Sequence, residues 1–109
     1  MFKKRVVVNM HFETWFKWPL WFLNDVMDVE EKAPISAELK EEFKLLLKEF
    51  ELNARWDSVN DGWYWPSKES RNDFETKVEK ARQKLISELG KSYLVEKPRP
   101  RYPVKEEHV

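Results

Sequence analysis

Leu39, Phe43, Leu46, Leu47 and Phe50 follow one another at spacings of four, three, one and three. A strand would scatter these side chains over both faces, whereas a helix gathers them into a single stripe. Ser36 precedes the stripe as an N-cap, after Pro34, and Glu38 falls in the first turn, where a carboxylate opposes the helix dipole. Lys40, Lys44 and Lys48 repeat every fourth residue along a solvated flank, and the helix is expected to fray near Asn53. A second helix is predicted from about residue 67 to 89. Ser67 caps it, Phe74, Val78, Ala81, Leu85 and Leu89 form its apolar stripe, and Gly90 stands where a left-handed residue ends a helix.

Each stripe needs an apolar partner, and the segments outside the helices supply strands. In residues 5–13, Val6, Val8, Met10 and Phe12 alternate with Val7, Asn9, His11 and Glu13, the two-residue period of a half-buried strand. Residues 92–97 read as a short strand with Tyr93 and Val95 on one face. Between them in sequence lies Trp15-Phe16-Lys17-Trp18-Pro19-Leu20-Trp21-Phe22-Leu23, too aromatic for a solvated loop. Pro19 removes a ladder donor, which restricts this segment to an edge strand or a turn folding back on the core. Residues 53–66 read as a connection centred on the Asn60-Asp61-Gly62 turn and pinned by Trp56, Trp63, Tyr64 and Trp65.

The expected fold class is therefore α+β, with two helices packed on one face of a two- or three-stranded sheet in the order β-(β)-α-α-β. Two strands alone make a marginal sheet. Either the aromatic segment provides a third strand or a second copy of the chain extends the sheet as a homodimer. Residues 1–97 are read as one domain, and residues 98–109 as an extended tail rich in Pro and Arg that lies over the surface or frays.

The 109 residues include six Trp, seven Phe and three Tyr, enough ring area for a small domain to build its core from few positions. Cysteine is absent, so neither disulfides nor thiolate metal sites enter. No window approaches a membrane span, and the basic N-terminus runs into Asn9, His11 and Glu13 without a cleavage signal; the expected location is cytoplasmic.

Catalytic constellations are missing from the pattern. The two histidines are His11, in a strand where it could pair with Glu13, and His108, near the terminus. The two glycines, Gly62 and Gly90, form no phosphate loop. Asp25, Asp28, Glu30 and Glu31 are acidic but lack the glycine and alternating oxygens of a calcium loop. The expectation is a binding protein with no enzymatic activity, no cofactor and no metal.

Positive and negative charges cancel over the chain but not along it. Residues 10–62 hold twelve acids against six bases, while residues 63–109 hold eleven bases against eight acids. An overall balance of zero argues against a dedicated nucleic-acid binder, since neutralised phosphates dominate that affinity. Exposed rings near Lys68, Arg71, Arg99 and Arg101 would nonetheless suit stacking on single-stranded nucleic acid, which stands as an alternative beside a homo-oligomeric structural role.

Trp18-Pro19-Leu20-Trp21, the Ser36-Ala37-Glu38-Leu39 helix start, Trp56-Asp57, Gly62-Trp63 and Leu85-Ile86-Ser87-Glu88-Leu89-Gly90 before a final strand form a wider pattern over roughly residues 6–97. It resembles that of short bacterial proteins of the immunity type, which accompany toxins. In this chain Phe22-Leu23-Asn24 comes after Trp21 where that pattern has acids and glycines, and the acidic run is later. The resemblance implies a cytoplasmic inhibitor of a cognate protein toxin. For a nuclease toxin, with its cationic phosphate-binding cleft, an acidic face would speed association and exclude substrate. The expected face comprises Asp25, Asp28, Glu30, Glu31, Glu38 and Glu42, with Trp21 and Trp63 as aromatic anchors.

Overall fold

A computed structural model of the chain describes residues 5–13, 17–23, 32–98 and 102–105. Its elements in order are β1 (Val6–Met10), β2 (Leu20–Leu23), α1 (Ala37–Asn53), β3 (Arg55–Asp57), β4 (Gly62–Tyr64), α2 (Lys68–Leu89) and β5 (Tyr93–Val95). The fold is α+β, as the sequence predicts, with a mixed three-stranded sheet in the order β2-β1-β5 and a separate β3-β4 hairpin.

The aromatic segment does supply the third strand. β2 runs antiparallel to β1, with Val8 opposite Phe22 and Asn9 opposite Trp21. Pro19 stands just before it, and its carbonyl accepts from the His11 N–H at 2.9 Å, so the missing proline donor falls outside the ladder. On the other side of β1, β5 pairs in parallel, with Val7 opposite Leu94.

Alternation then sorts the side chains. Val8, Met10, Leu20, Phe22 and Val95 are buried in one cluster with Leu39, Phe43, Leu46, Leu47 and Phe50 of α1 and Phe74, Val78, Ala81 and Leu85 of α2. Removing this apolar surface from water, at roughly 25 cal/mol per Å², is the main force holding sheet and helices together.

Polar contacts fix how the helices lie. Lys84 bonds Glu42 at 3.0 Å and Lys77 bonds Glu49 at 2.7 Å. A step of seven up α1 thus matches a step of seven down α2, the register of antiparallel neighbours. At the end of the same seam Glu88 accepts from both the backbone N–H (2.6 Å) and the hydroxyl (2.8 Å) of Ser36. Ser36 in turn accepts from the Leu39 N–H at 3.2 Å, so the α1 cap is tied to the last turn of α2. Ser67 caps α2 by accepting from Ser70 N–H at 3.1 Å, and Gly90 closes it at φ 78°. The last turn of α1 contains no basic residue; the Arg55 guanidinium serves there, donating to the carbonyls of Leu52, Asn53 and Ala54.

The 53–66 connection differs from the expected pinned loop. It is a hairpin, with Trp56 opposite Trp63. Asp57 builds its turn, accepting from the N–H groups of Val59 (3.0 Å) and Asn60 (3.2 Å) and from the Asn60 side chain (2.8 Å). Positive φ, 52°, falls on Asp61 rather than on Gly62, which already belongs to the strand.

Of the expected C-terminal tail, the structure describes residue 98 and residues 102–105. Residues 102–105, here termed the strap, pass beside the hairpin: Trp65 N–H donates to Pro103 O at 2.8 Å, and Lys105 N–H donates to Trp65 O at 2.9 Å. The Lys105 ammonium bonds Asp57 and sits 5.6 Å from the Tyr64 ring centre.

Candidate protein-docking face

The helices cover one side of the sheet and leave the other. Register places Trp21 beside Asn9, and Leu94 beside Val7, on that outer face. Trp21 remains 36% exposed and Leu94 43%, while Val7, Asn9 and His11 are half-buried. The Trp21 ring tilts against His11 with centroids 5.9 Å apart. His11 therefore lies against an aromatic neighbour on this face. Glu13, its expected partner, is near enough to Tyr102 to act on that phenol electrostatically.

Trp63 belongs to a different place and plays a different part. It is half-buried between Phe50 (5.3 Å) and Trp56 (5.2 Å), both edge-on. It joins the hairpin to the core, and the more exposed ring is its cross-strand neighbour Trp56 at 44%. Trp18 and Trp65 are buried outright. The described tryptophans thus divide into core rings and two surface rings, Trp21 and Trp56, on separate β-structures.

The acids sort equally unevenly. Glu38 is exposed in the first turn of α1. Glu42 is half-buried and its charge is already matched by Lys84, which reduces what it can offer a cationic partner. Asp25, Asp28, Glu30 and Glu31 lie outside the described residues; in sequence they come directly after β2, the strand that carries Trp21.

The most perturbed carboxylate among the described residues is Asp57, which stands in the sequence pattern only as half of the Trp56-Asp57 pair and not as a site residue. Asp57 is held well below the usual carboxylate range, first by the Lys105 ammonium, then by the side chain and N–H of Asn60. These partners secure the hairpin turn and the strap, a structural use of the charge. Among the described residues no group of three or more His, Cys, Asp or Glu is placed to hold a metal ion. No helix among them is long and apolar enough to cross a membrane.

Sequence reasoning missed two sets of surface apolar residues. Leu94 was visible in principle as the outward position of the Tyr93–Val95 alternation. Leu45 and Leu52, spaced seven apart, lie off the buried stripe of α1 and are 59% and 67% exposed. The spacing itself was a signal for a second, weaker apolar line. Compared with known proteins, the chain matches no family model, no curated protein and no solved structure.

Proposed function

We propose that this chain is a non-catalytic binding protein of the immunity type, which neutralises a cognate bacterial toxin in the cytoplasm by covering a functional surface of it. The observation that carries this reading is the sheet face turned away from the helices, where Trp21 and Leu94 stand exposed among the described residues while Val8, Met10, Leu20, Phe22 and Val95 are buried on the inner face. An amphipathic ring on a rigid strand is a favourable hot spot, because it gives large contact area at little cost in side-chain entropy. The acids at 25, 28, 30 and 31 come immediately after that strand in the chain. Together they suit a partner with a basic rim around an apolar centre, such as a nuclease whose cleft binds phosphate. Carboxylates raise the rate of encounter, and the tryptophan slows dissociation.

The test is co-expression. The chain is tagged, the protein that co-purifies in stoichiometric amount is identified, and that protein is expressed alone to learn whether it is toxic. Trp21→Ala is then expected to weaken the complex by about 2 kcal/mol, roughly thirtyfold, mainly through faster dissociation. Reversing charge at Asp25, Asp28, Glu30 and Glu31 together is expected to slow association in a salt-dependent way. Full protection from the toxin by both variants would refute the face, and a partner that is harmless alone would refute the immunity reading.

A further inference from the structure

The strap touches the rest of the protein in the way a bound peptide touches a receptor. Trp65 turns both of its backbone groups toward it: the N–H donates to Pro103 O at 2.8 Å, and the carbonyl accepts from Lys105 N–H at 2.9 Å. Trp65 and Val104 thereby form a parallel bridge, one rung of strand pairing just beyond the end of β4. Side chains alternate along the strap, as on any extended segment. Tyr102 and Val104 pack against the core cluster, the Tyr102 ring 5.8 Å from that of Phe50, while Pro103 between them is exposed. Lys105 reaches Asp57 and lies over the Tyr64 ring. Four consecutive residues are thus read by four different features: a ring, a backbone donor, an apolar surface and a carboxylate beside a second ring.

The seat is built by other parts of the chain. β3 and β4 pair with each other, and Asp57 is oriented by Val59 and Asn60 of its own turn. Phe50 and Trp65 contact each other at 5.7 Å, and both contact Phe74 of α2, at 6.1 and 5.0 Å. β5 is the contrast: without it β1 loses a ladder and the buried Val95 leaves the core cluster. β5 therefore belongs to the fold, whereas the strap lies against a surface that is complete before it arrives.

We infer that this seat is a peptide-binding groove for an extended segment of a partner protein, with an aromatic residue, proline, an aliphatic residue and lysine in that order, and that residues 102–105 occupy it as an internal competitor. Strand addition of this kind takes affinity from main-chain bonds and specificity from alternate side chains. Proline suits the second position, because the groove uses its carbonyl only and its fixed φ lowers the entropy lost on docking. Asp57 selects a cation at the fourth position. A tethered segment meets its own seat at an effective concentration in the millimolar range, so a second copy carrying the identical segment gains nothing over it. A partner segment that also contacts Trp56, 44% exposed on the same hairpin, has the extra surface needed to displace the strap. The groove belongs to the hairpin and not to the three-stranded sheet, and it does not depend on the toxin-binding reading.

The probe is a synthetic peptide with the sequence of residues 98–109, titrated into full-length chains labelled for amide NMR. The Tyr102→Ser/Lys105→Ser double variant weakens the internal competitor and leaves the residues of the seat unchanged. The expected result is saturable shifts at the Trp65 and Asp57 amides of the variant, with half-saturation below about 1 mM, and binding to the unaltered chain at least about tenfold weaker. A peptide carrying Lys105→Glu should bind the variant at least about tenfold more weakly than the parent peptide. The absence of a saturable shift in the variant at several times that concentration would overturn the inference. Equal binding to the unaltered chain would do the same, by placing the peptide elsewhere, and so would a variant that fails to fold, because the seat would then require the strap. An unaltered chain that sediments as a dimer and is split by the peptide would assign the seat to a second copy and overturn the partner reading.

Discussion

The two ends of the molecule are built from different materials. Where α1 and α2 lie on the sheet, the buried residues are largely aliphatic: Val8, Leu39, Leu46, Leu47, Ala81, Leu85 and Val95, with Phe43 and Phe22 in the same cluster. Where the helices meet the hairpin and strap it is aromatic, with Phe50 contacting Trp63, Trp65, Phe74 and Tyr102. Flexible, branched side chains fill space to near-crystal density. Flat rings meet edge to face or tilted, with centroids roughly 4.5–7 Å apart, and so hold a fixed mutual geometry. A cleft lined by Phe12, Phe50, Trp65, Phe74 and Tyr102 lies at the aromatic end.

The largest expected effect belongs to Phe50, whose ring lies at the seam. Phe50→Ala should destabilise the fold by about 3–5 kcal/mol in denaturant titrations and release the strap at the same time. Leu85→Ala, inside the aliphatic half, should cost about 2–5 kcal/mol and leave the Trp65 and Lys105 amides protected until global unfolding. If the strap loosens equally in both variants, the two ends are one cooperative unit and the contrast fails.

Next in size is the helix seam. Ser36→Ala should cost about 1–2 kcal/mol, toward the upper end of cap replacements, because it removes the bond to Leu39 and the hydroxyl bond to Glu88 together. Ser67→Ala loses a cap without an interhelical partner and should cost less, about 1 kcal/mol in thermal or chemical unfolding.

The smallest effects are local to the aromatic end and depend on pH. Asp57 has a depressed pKa in the fold, so its contribution is complete above the ordinary carboxylate value of 3.8 and is lost as pH falls through the depressed one. Amide exchange at Trp65 and Lys105 should therefore quicken in acid before the helices respond, and Asp57→Asn should show the faster exchange already at neutral pH. Tyr102 has the opposite sign. Its pKa is raised to about 12, so its contribution is present below about pH 10 and fades as pH rises through 12. The absorbance difference between the chain and Tyr102→Phe should place that ionisation near pH 12; a midpoint at the ordinary value of 10.0 would mean the strap is not docked in solution.

Local signals account for most of what the sequence revealed. Both helices, their serine caps, the Gly90 terminator and all five buried residues of the α1 stripe are legible from spacing and capping chemistry. β2 was legible only in part, because Pro19 left the aromatic segment open as an edge strand or a turn. β3 and β4 are three residues each, too short to display a period, and what makes them a hairpin is the Asp57 side chain bonding across its own turn. The strap was illegible for another reason. Tyr102, Val104 and Lys105 are held by Phe50, Trp65 and Asp57, partners some forty to fifty residues distant that no local pattern announces. At the proposed docking face Trp21 was legible from aromatic density and Leu94 was overlooked, while Glu42 illustrates the limit of counting charges: its sign is readable, its engagement with Lys84 is not.

The parallel pairing of β1 with β5 has a mechanical consequence. A pull toward the N-terminus on residue 5 and toward the C-terminus on residue 105 draws these two strands past each other along their length. The bonds from Val6 N–H to Ser92 O and from Glu96 N–H to Val8 O, at 3.0 Å each, would carry the load side by side instead of parting one after another. The strap, gripped by two backbone bonds and one ion pair, would yield first and lengthen the chain at low force. The sheet behind it would then act as a shear clamp, and its rupture force would be set by the unfolding rate more than by equilibrium stability.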